Sequence, residues 1–360
     1  MEEIIKKESP KEVILSVRDL RISFRSYAGK VQAVRGITFD LKKGETIAIV
    51  GESGSGKSVT AKSIMGILAK NAITEDGVIS YQGYDLTKIN EEVFHEIRGK
   101  KIGLIFQDPM SALNPIMTIG KQITEVLLLN QNMTKEQAKT KALSLMEEVG
   151  IPDANRRFHQ YPFQFSGGMR QRIVIAIALA NDPEILICDE PTTALDVTVQ
   201  AKILDLIKQL KKEKNLSIIF ITHDLGVVAN IADRVYVMYA GKIVEYGLCT
   251  EIFLDPRHPY TWALLASMPD METQGKLMAI TGTPPNMVNP PKGDAFAARN
   301  AYAMKIDFIE EPPYFPISDT HYAATWLMDE RAPKTELPPI LSQRINRMLA
   351  EEAEYLERIK

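Results

Sequence analysis

The stretch Thr46–Leu68, TIAIVGESGSGKSVTAKSIMGIL, decides the fold. Its opening, through Val50, is a short apolar run of the kind that forms a buried strand. The next segment, Gly51–Ser58, matches G-x-x-x-x-G-K-[ST] in full. From Val59 onward the chain reads as a helix. A strand, a glycine-rich turn and a helix N-terminus in that order build a phosphate cradle. The glycines let backbone N–H groups turn inward, and the helix end adds positive potential. The candidate nucleotide contacts are therefore Gly51, Glu52, Ser53, Gly54, Ser55, Gly56, Lys57, Ser58 and Val59. Lys57 would reach the β- and γ-phosphates, and the Ser58 hydroxyl would ligate Mg²⁺.

Outward from this loop, Val13–Val50 reads as strands separated by turns, with Lys42, Lys43 and Gly44 marking the last turn. KIGLIF (Lys101–Phe106), Ile185–Cys188, SIIFIT (Ser217–Thr222) and RVYVMY (Arg234–Tyr239) are further strand candidates. Helical patterns lie between them: ITEVLLL, QAKTKALSLMEEVG, a helix opening near Ser166 and broken by Asp182 and Pro183, and Ala194–Lys211. Alternating strands and helices predict an α/β fold with a mainly parallel sheet. The expected organisation is a nucleotide-binding domain over 1–265, with an N-terminal antiparallel β subdomain and a helical subdomain at about 113–172. A proline-punctuated extension over 266–360 follows, ending in a mixed-charge helix.

Three strand ends carry further chemistry. ILICDE places Asp189 and Glu190 at the end of a core strand. Asp189 can hold a Mg²⁺ shell, and Glu190 is the natural general base for a water attacking the γ-phosphate. Gln107, in IFQDP, can touch the metal and that water. His223, in FITHD, can hydrogen-bond the γ-phosphate or orient the base. A solvated acidic turn, a polar strand end and a satisfied structural histidine are the plain alternatives. A second glycine turn, FSGGM (Phe165–Met169), opens a helix far from the first. Ser166, Gly167 and Gly168 form another anion site at a helix N-terminus, although one nucleotide needs only one cradle.

In this order the motifs resemble those of the ATP-binding cassette family of transport ATPases, over about residues 13–265. The resemblance implies that Gly51–Ser58 is the Walker A loop and Gln107 the Q-loop residue. It makes Ile185–Asp189 the Walker B strand, Glu190 the catalytic base and His223 the switch histidine. Ala194, Leu195 and Asp196 form the D-loop. FSGGM stands where the family usually has LSGGQ, departing at Phe165 and Met169 while keeping the serine and both glycines. In the family this turn closes on the γ-phosphate bound by a facing subunit, so ATP is sandwiched between two cassettes. Tyr27, in RSYAGK, is the candidate for stacking on adenine; a solvated loop tyrosine is the alternative.

DPRHPYT (Asp255–Thr261) and the segment from Gly282 resemble the oligopeptide and dipeptide permease ATP-binding subunits, most closely those of Gram-positive bacteria. Many of these carry four cysteines that ligate an iron–sulfur cluster. The aligned positions here are Asp294, Asn300, Asp307 and Thr325. Thiolates hold such clusters, so no cluster is expected. The extension is then expected to pack around Phe296, Tyr302, Met304, Phe308, Tyr314, Phe315 and Trp326. The resemblance further implies a second, related ATPase subunit as a heterodimer partner. It also implies two membrane-spanning permease subunits docked near residues 110–160, an extracellular peptide-binding lipoprotein acting indirectly, and a peripheral position on the cytoplasmic face of the cell membrane.

Composition agrees. The chain has 360 residues, 45% hydrophobic and 25% charged, and a net charge of -3, so no basic field points to nucleic acid. Two cysteines, Cys188 and Cys249, make neither a disulfide framework nor a CxxC site. The charged start MEEIIKKESP lacks the apolar core of a signal peptide. Other importer cargo, such as dipeptide, nickel or oligosaccharide, stays open at this point. So does a non-transport cassette acting on nucleic acid or the ribosome. A P-loop kinase or GTPase is disfavoured, since no N-K-x-D motif occurs and the second glycine turn would have no role.

Overall fold

The computed structural model describes residues 12–193, 195–268 and 280–359, with side chains described as far as residue 350. The readings of Met1–Pro10 and of Ala194 lie outside the described residues.

Two long strands, β1 (Val13–Ser26) and β2 (Gly29–Lys42), form a hairpin. β3 (Thr46–Val50) runs into the glycine loop and α1 (Lys57–Ile64). β4 (Ala72–Tyr81) and β5 (Tyr84–Asp85) complete an antiparallel sheet of order β2-β1-β4-β5. α2 (Glu91–Ile97) precedes β6 (Ile102–Ile105). A helical region follows: α3 (Pro109–Ala112), α4 (Ile119–Asn130), α5 (Lys135–Glu148), α6 (Ala154–Arg157) and α7 (Gly167–Leu179). Thr134 caps α5 reciprocally with Gln137, each side chain bonding the other's backbone N–H. The chain then alternates through β7 (Ile185–Asp189), α8 (Val197–Lys214), β8 (Ser217–Thr222), α9 (Leu225–Ile231) and β9 (Arg234–Tyr239).

β3, β7 and β8 are buried at every position, because helices or the second sheet cover both faces of a parallel sheet. Their unbroken apolar runs are the sequence form of that environment. β9, β3, β8, β7 and β6 are parallel neighbours in that order. β10 (Lys242–Leu248) then turns back antiparallel on β9.

α10 (Cys249–Leu254) and α11 (Pro259–Ala266) pack beside this edge. Two short strands of the extension, β11 (Phe315–Pro316) and β12 (Tyr322–Ala323), continue the main sheet to eight strands. The chain closes with α12 (Pro339–Ile359). The late antiparallel strands and the β4–β5 arm were not legible in the sequence. They are short or interrupted by polar residues, so no apolar period marks them.

The extension's core differs from expectation. Phe296 is buried, and Met304 is partly buried against the same cluster. Phe315 and Trp326 are half-buried and pack edge to face on each other. Phe308 is exposed instead, while Tyr302 and Tyr314 are partly exposed and pack edge to face on Trp262 and Tyr246. Ala323, Leu327 and Leu341 supply apolar core instead, together with buried Asp294, Asp307, His321 and Thr325. A loop-rich segment has no period that assigns faces, so an aromatic residue type alone could not settle which rings turn inward.

Candidate functional site

The sheet order gathers the chemistry. β3, β8, β7 and β6 are consecutive parallel strands, so their C-terminal ends form one row. That row carries Gly51, His223, the Asp189–Glu190 pair and Gln107. In such sheets ligands bind outside the carboxyl ends of the strands.

The loop after β3 is a tight cradle. Gly51 has φ 154°, and a Cβ there would stand 2.0 Å from Met238 O. Gly56 has φ 107°, and its Cβ would meet Ala33 O at 2.5 Å. Both sites admit only glycine. Gly56 occupies the N-cap of α1 with no side-chain cap, which leaves the helix end to a ligand. Ser55 and Gly56 are buried, while Ser53 and Gly54 are exposed and Val59 is half-buried on α1. Lys57 is buried and curls back, donating to Gly51 O at 2.7 Å and Glu52 O at 2.8 Å. Burial lowers its ammonium pKa; Glu190, Asp189 and Glu52 oppose the shift. Those are the three carboxylates that face it.

Ser58 Oγ donates to Asp189 Oδ1 at 2.8 Å, joining the first turn of α1 to the end of β7. Burial raises the Asp189 carboxyl pKa, against the pull of the Ser58 hydroxyl. Glu190 follows with φ 48°, a left-handed backbone unusual for a non-glycine residue. Its Oε2 accepts from Gln107 Nε2 at 3.0 Å and from Thr193 Oγ1 at 3.0 Å, and it lies 3.2 Å from His223 Nδ1. Side chains from three chain segments therefore meet at one carboxylate oxygen. Thr193 was not anticipated. A threonine three residues past the base carries no signal of its own.

Ser166 is the N-cap of α7 and accepts from Met169 N at 3.4 Å. Ser166 and Gly167 are exposed. A Cβ on Gly168 would stand 2.5 Å from Val199 Cγ1 of α8. Phe165 is buried and Met169 is partly buried against the same core, so both departures from LSGGQ are packing residues. Asp196 caps α8, accepting from Val199 N at 2.9 Å. Tyr27 sits fully exposed at the β1–β2 turn. Two further residues bind the loop unannounced: Tyr260 Oη accepts from Glu52 N at 2.7 Å, and Arg299 pairs with the Glu52 carboxylate.

The four positions aligned with cluster cysteines use their oxygens locally. Asp294 Oδ1 accepts from Phe296 N, Asn300 Oδ1 from Tyr302 N, Asp307 Oδ2 from Met304 N, and Thr325 Oγ1 from Leu327 N. These are caps and turns of the kind short polar side chains make. They offer no thiolate set for a cluster.

Comparison with known proteins agrees with this geometry. The ABC transporter family model matches residues 34–193, and the model for the oligopeptide/dipeptide transporter C-terminal region matches residues 244–306. The chain is 59% identical over 338 residues to the oligopeptide transport ATP-binding protein OppD of Bacillus subtilis, covering 93% of this chain and 94% of that protein. It is 59% identical to the dipeptide transport ATP-binding protein DppD of Lactococcus lactis, covering 90% and 93%. Identity to the oligopeptide transport ATP-binding protein AmiE of Streptococcus pneumoniae is 56%, over 92% and 94%. Among solved structures, the ATP-binding cassette MJ0796, dimeric in a post-hydrolysis state with ADP and Pi, superposes with TM-score 0.59 at 26% identity. That match covers 65% of this chain and 98% of the other. The structure of cbiO1 from Clostridium perfringens gives TM-score 0.59 at 27% identity, covering 68% and 92%. This chain belongs to the ABC transporter family of ATP-binding subunits, in the branch that carries the oligopeptide/dipeptide transporter C-terminal region.

Proposed function

We propose that this subunit hydrolyses ATP to energise import of oligopeptides through a membrane permease. The observation that carries the reading is the convergence of Gln107, Thr193 and His223 on Glu190 Oε2, beside a complete phosphate loop. Glu190 acts as general base on the attacking water. His223 and Gln107 orient it. Lys57 and the loop N–H groups hold the β- and γ-phosphates, and Tyr27 stacks on adenine. Ser58, Asp189 and Gln107 are hard oxygen donors and fit a Mg²⁺ ion, which typically takes one or two protein ligands together with phosphates and water. When bound, that ion neutralises charge on the phosphate oxygens.

Ser166, Gly167, Gly168 and Met169 close on the triphosphate held by a facing cassette, and Asp196 lies at the same interface. A related ATPase is the facing subunit. Two permease subunits dock on the helical subdomain, about 113–172, within a nucleotide-binding domain of 1–265. An extracellular lipoprotein delivers cargo. The subunit lies peripherally on the cytoplasmic face; among the described residues no helix is long and apolar enough to cross a membrane. The 266–360 extension holds no iron–sulfur cluster and no nucleic acid is bound. Dipeptide is the second cargo reading, favoured by the similarity to DppD. The test is uptake of labelled dipeptides and longer peptides by cells with and without this subunit, with the Glu190→Gln chain as control. Undiminished uptake on its loss would sink the reading.

A further inference from the structure

The residues beyond 266 carry none of the chemistry assigned above, yet they grip the phosphate loop at its first turn. Arg299 lies 247 positions from Glu52 in sequence and meets it in a two-pronged ion pair. Its Nη1 donates to Glu52 Oε2 at 2.6 Å and its Nη2 to Oε1 at 2.9 Å. The Arg299 side chain is 4% exposed. Its guanidinium is itself held in place. Nε donates to Thr281 O at 2.9 Å, Nη1 also reaches Tyr239 Oη at 3.2 Å, and the Tyr239 and Phe296 rings flank it. Parallel donation from a pre-oriented fork is the strong, direction-specific form of this pair.

Two other extension contacts brace the same region. Met287 O accepts from Gln32 N at 2.9 Å, on the strand that follows the Tyr27 turn. Glu311 accepts from Arg35 at 2.7 Å and also pairs with Lys242. Arg35 N in turn donates to Gly241 O, and Gly241 N donates to Ser55 O inside the loop at 2.9 Å. The extension thus reaches the loop's start directly and its middle through one strand turn.

We propose that the extension is a working part of the nucleotide site, with Arg299 the positioning residue that holds Glu52, and so the first turn of the loop, in phosphate-binding geometry. The pair also offsets the charge of a carboxylate that stands beside the bound polyphosphate and otherwise shares only Lys57 with Asp189 and Glu190. This inference rests on the reading of Gly51–Ser58 as the ATP loop.

The experiment is equilibrium binding of a fluorescent ATP analogue to the full purified chain, with KM and kcat measured on the assembled transporter. Arg299→Ala and Arg299→Met are expected to weaken binding by about tenfold, the loss of one charge-assisted pair. Arg299→Lys, keeping charge but losing the fork, falls between them and the parent. KM rises while kcat stays within about twofold, since no reacting group is touched. A folded Arg299→Met chain that binds like the parent, with only its melting temperature lowered, overturns the proposal. Lys57→Ala separates the two ideas: if it binds normally, the loop reading itself fails. Should the Arg299 variants not fold, hydrogen exchange on the unaltered chain decides. Coupling is reciprocal, so ATP must slow exchange of the amides near Phe296 and Arg299; unchanged exchange refutes it.

Discussion

Glu190 Oε2 and Gln107 Nε2 lie 3.0 Å apart, although 83 positions of sequence separate the two residues. β6 and β7 are parallel neighbours, and Ile105 pairs with Cys188, so the residues just past each strand are brought side by side. Glu190 N donates to Ile221 O of β8 on the other flank, which sets the turn that carries the carboxylate. Its left-handed backbone costs on the order of 1 kcal/mol or more. The fold retains that strain at the residue assigned as the base.

Glu190→Gln keeps the shape of the side chain and removes the proton acceptor. Turnover is expected to fall by about 10²-fold or more. ATP should remain bound, unhydrolysed, in the isolated assembly. Phosphate release and the nucleotide extracted from the protein are the two measurements. Parental turnover would remove Glu190 from the base role.

Gly56→Ala and Gly54→Ala form a contrasting pair. Gly56 combines φ 107° with a Cβ position 2.5 Å from a backbone oxygen, whereas Gly54 has φ 80° and nothing within 4 Å. Gly56→Ala is expected to cost about 2 kcal/mol or more and abolish ATP binding, while Gly54→Ala costs on the order of 1 kcal/mol from backbone strain alone. Thermal melts with and without ATP distinguish them. Equal effects would mean that the close approach at Gly56 relaxes freely.

Asp294 should confer a pH-dependent weakness. Burial pushes its carboxyl up to about 6, with Asp307 and Glu311 adding to the rise. A raised carboxyl pKa contributes stability in the protonated form. That contribution is complete below the unfolded value, near 4, and is lost as pH climbs through about 6. Asp294→Asn keeps an oxygen for Phe296 N and carries no charge. Its melting temperature relative to the parent should therefore rise between pH 4.5 and pH 8, by the equivalent of about 1–3 kcal/mol. A difference that does not move with pH would contradict the burial of this charge.

Ser166→Asp tests the second glycine turn. Aspartate is as good an N-cap as serine, so α7 should keep its start and the chain its stability. A fixed negative charge at the anion site should repel the facing γ-phosphate. ATP-dependent association of the Glu190→Gln chain with the facing cassette proposed above should be lost. Light scattering with and without ATP reads this, and association at the parental level would exclude Ser166 from the sandwich.

Much of the candidate site was legible because its patterns are local. The Gly51–Ser58 loop, the Asp189–Glu190 pair and the Ser166 turn are short patterns whose backbone geometry follows from glycine freedom, helix ends and strand ends. β3, β7 and β8 were visible as unbroken apolar runs. The β4–β5 arm, β10 and the two strands of the extension carry no such run, and their pairing depends on partners far away in sequence.

The extension shows the same boundary more sharply. The absence of cysteine at 294, 300, 307 and 325 could be read at once, but which rings turn inward could not. Phe296 is buried and Phe308 is largely exposed, on the same type of side chain twelve positions apart. By itself, then, the amino-acid sequence determined which side chains could handle a triphosphate, and that each sits at a strand end or helix start, since those choices are made within a few residues by backbone sterics and apolar runs. Only the tertiary structure decided that Thr193, Gln107 and His223 share one oxygen of Glu190, and that Arg299 clasps Glu52. Such meetings depend on strand order and on how the chain returns over the sheet, and no local pattern encodes a distance across hundreds of residues.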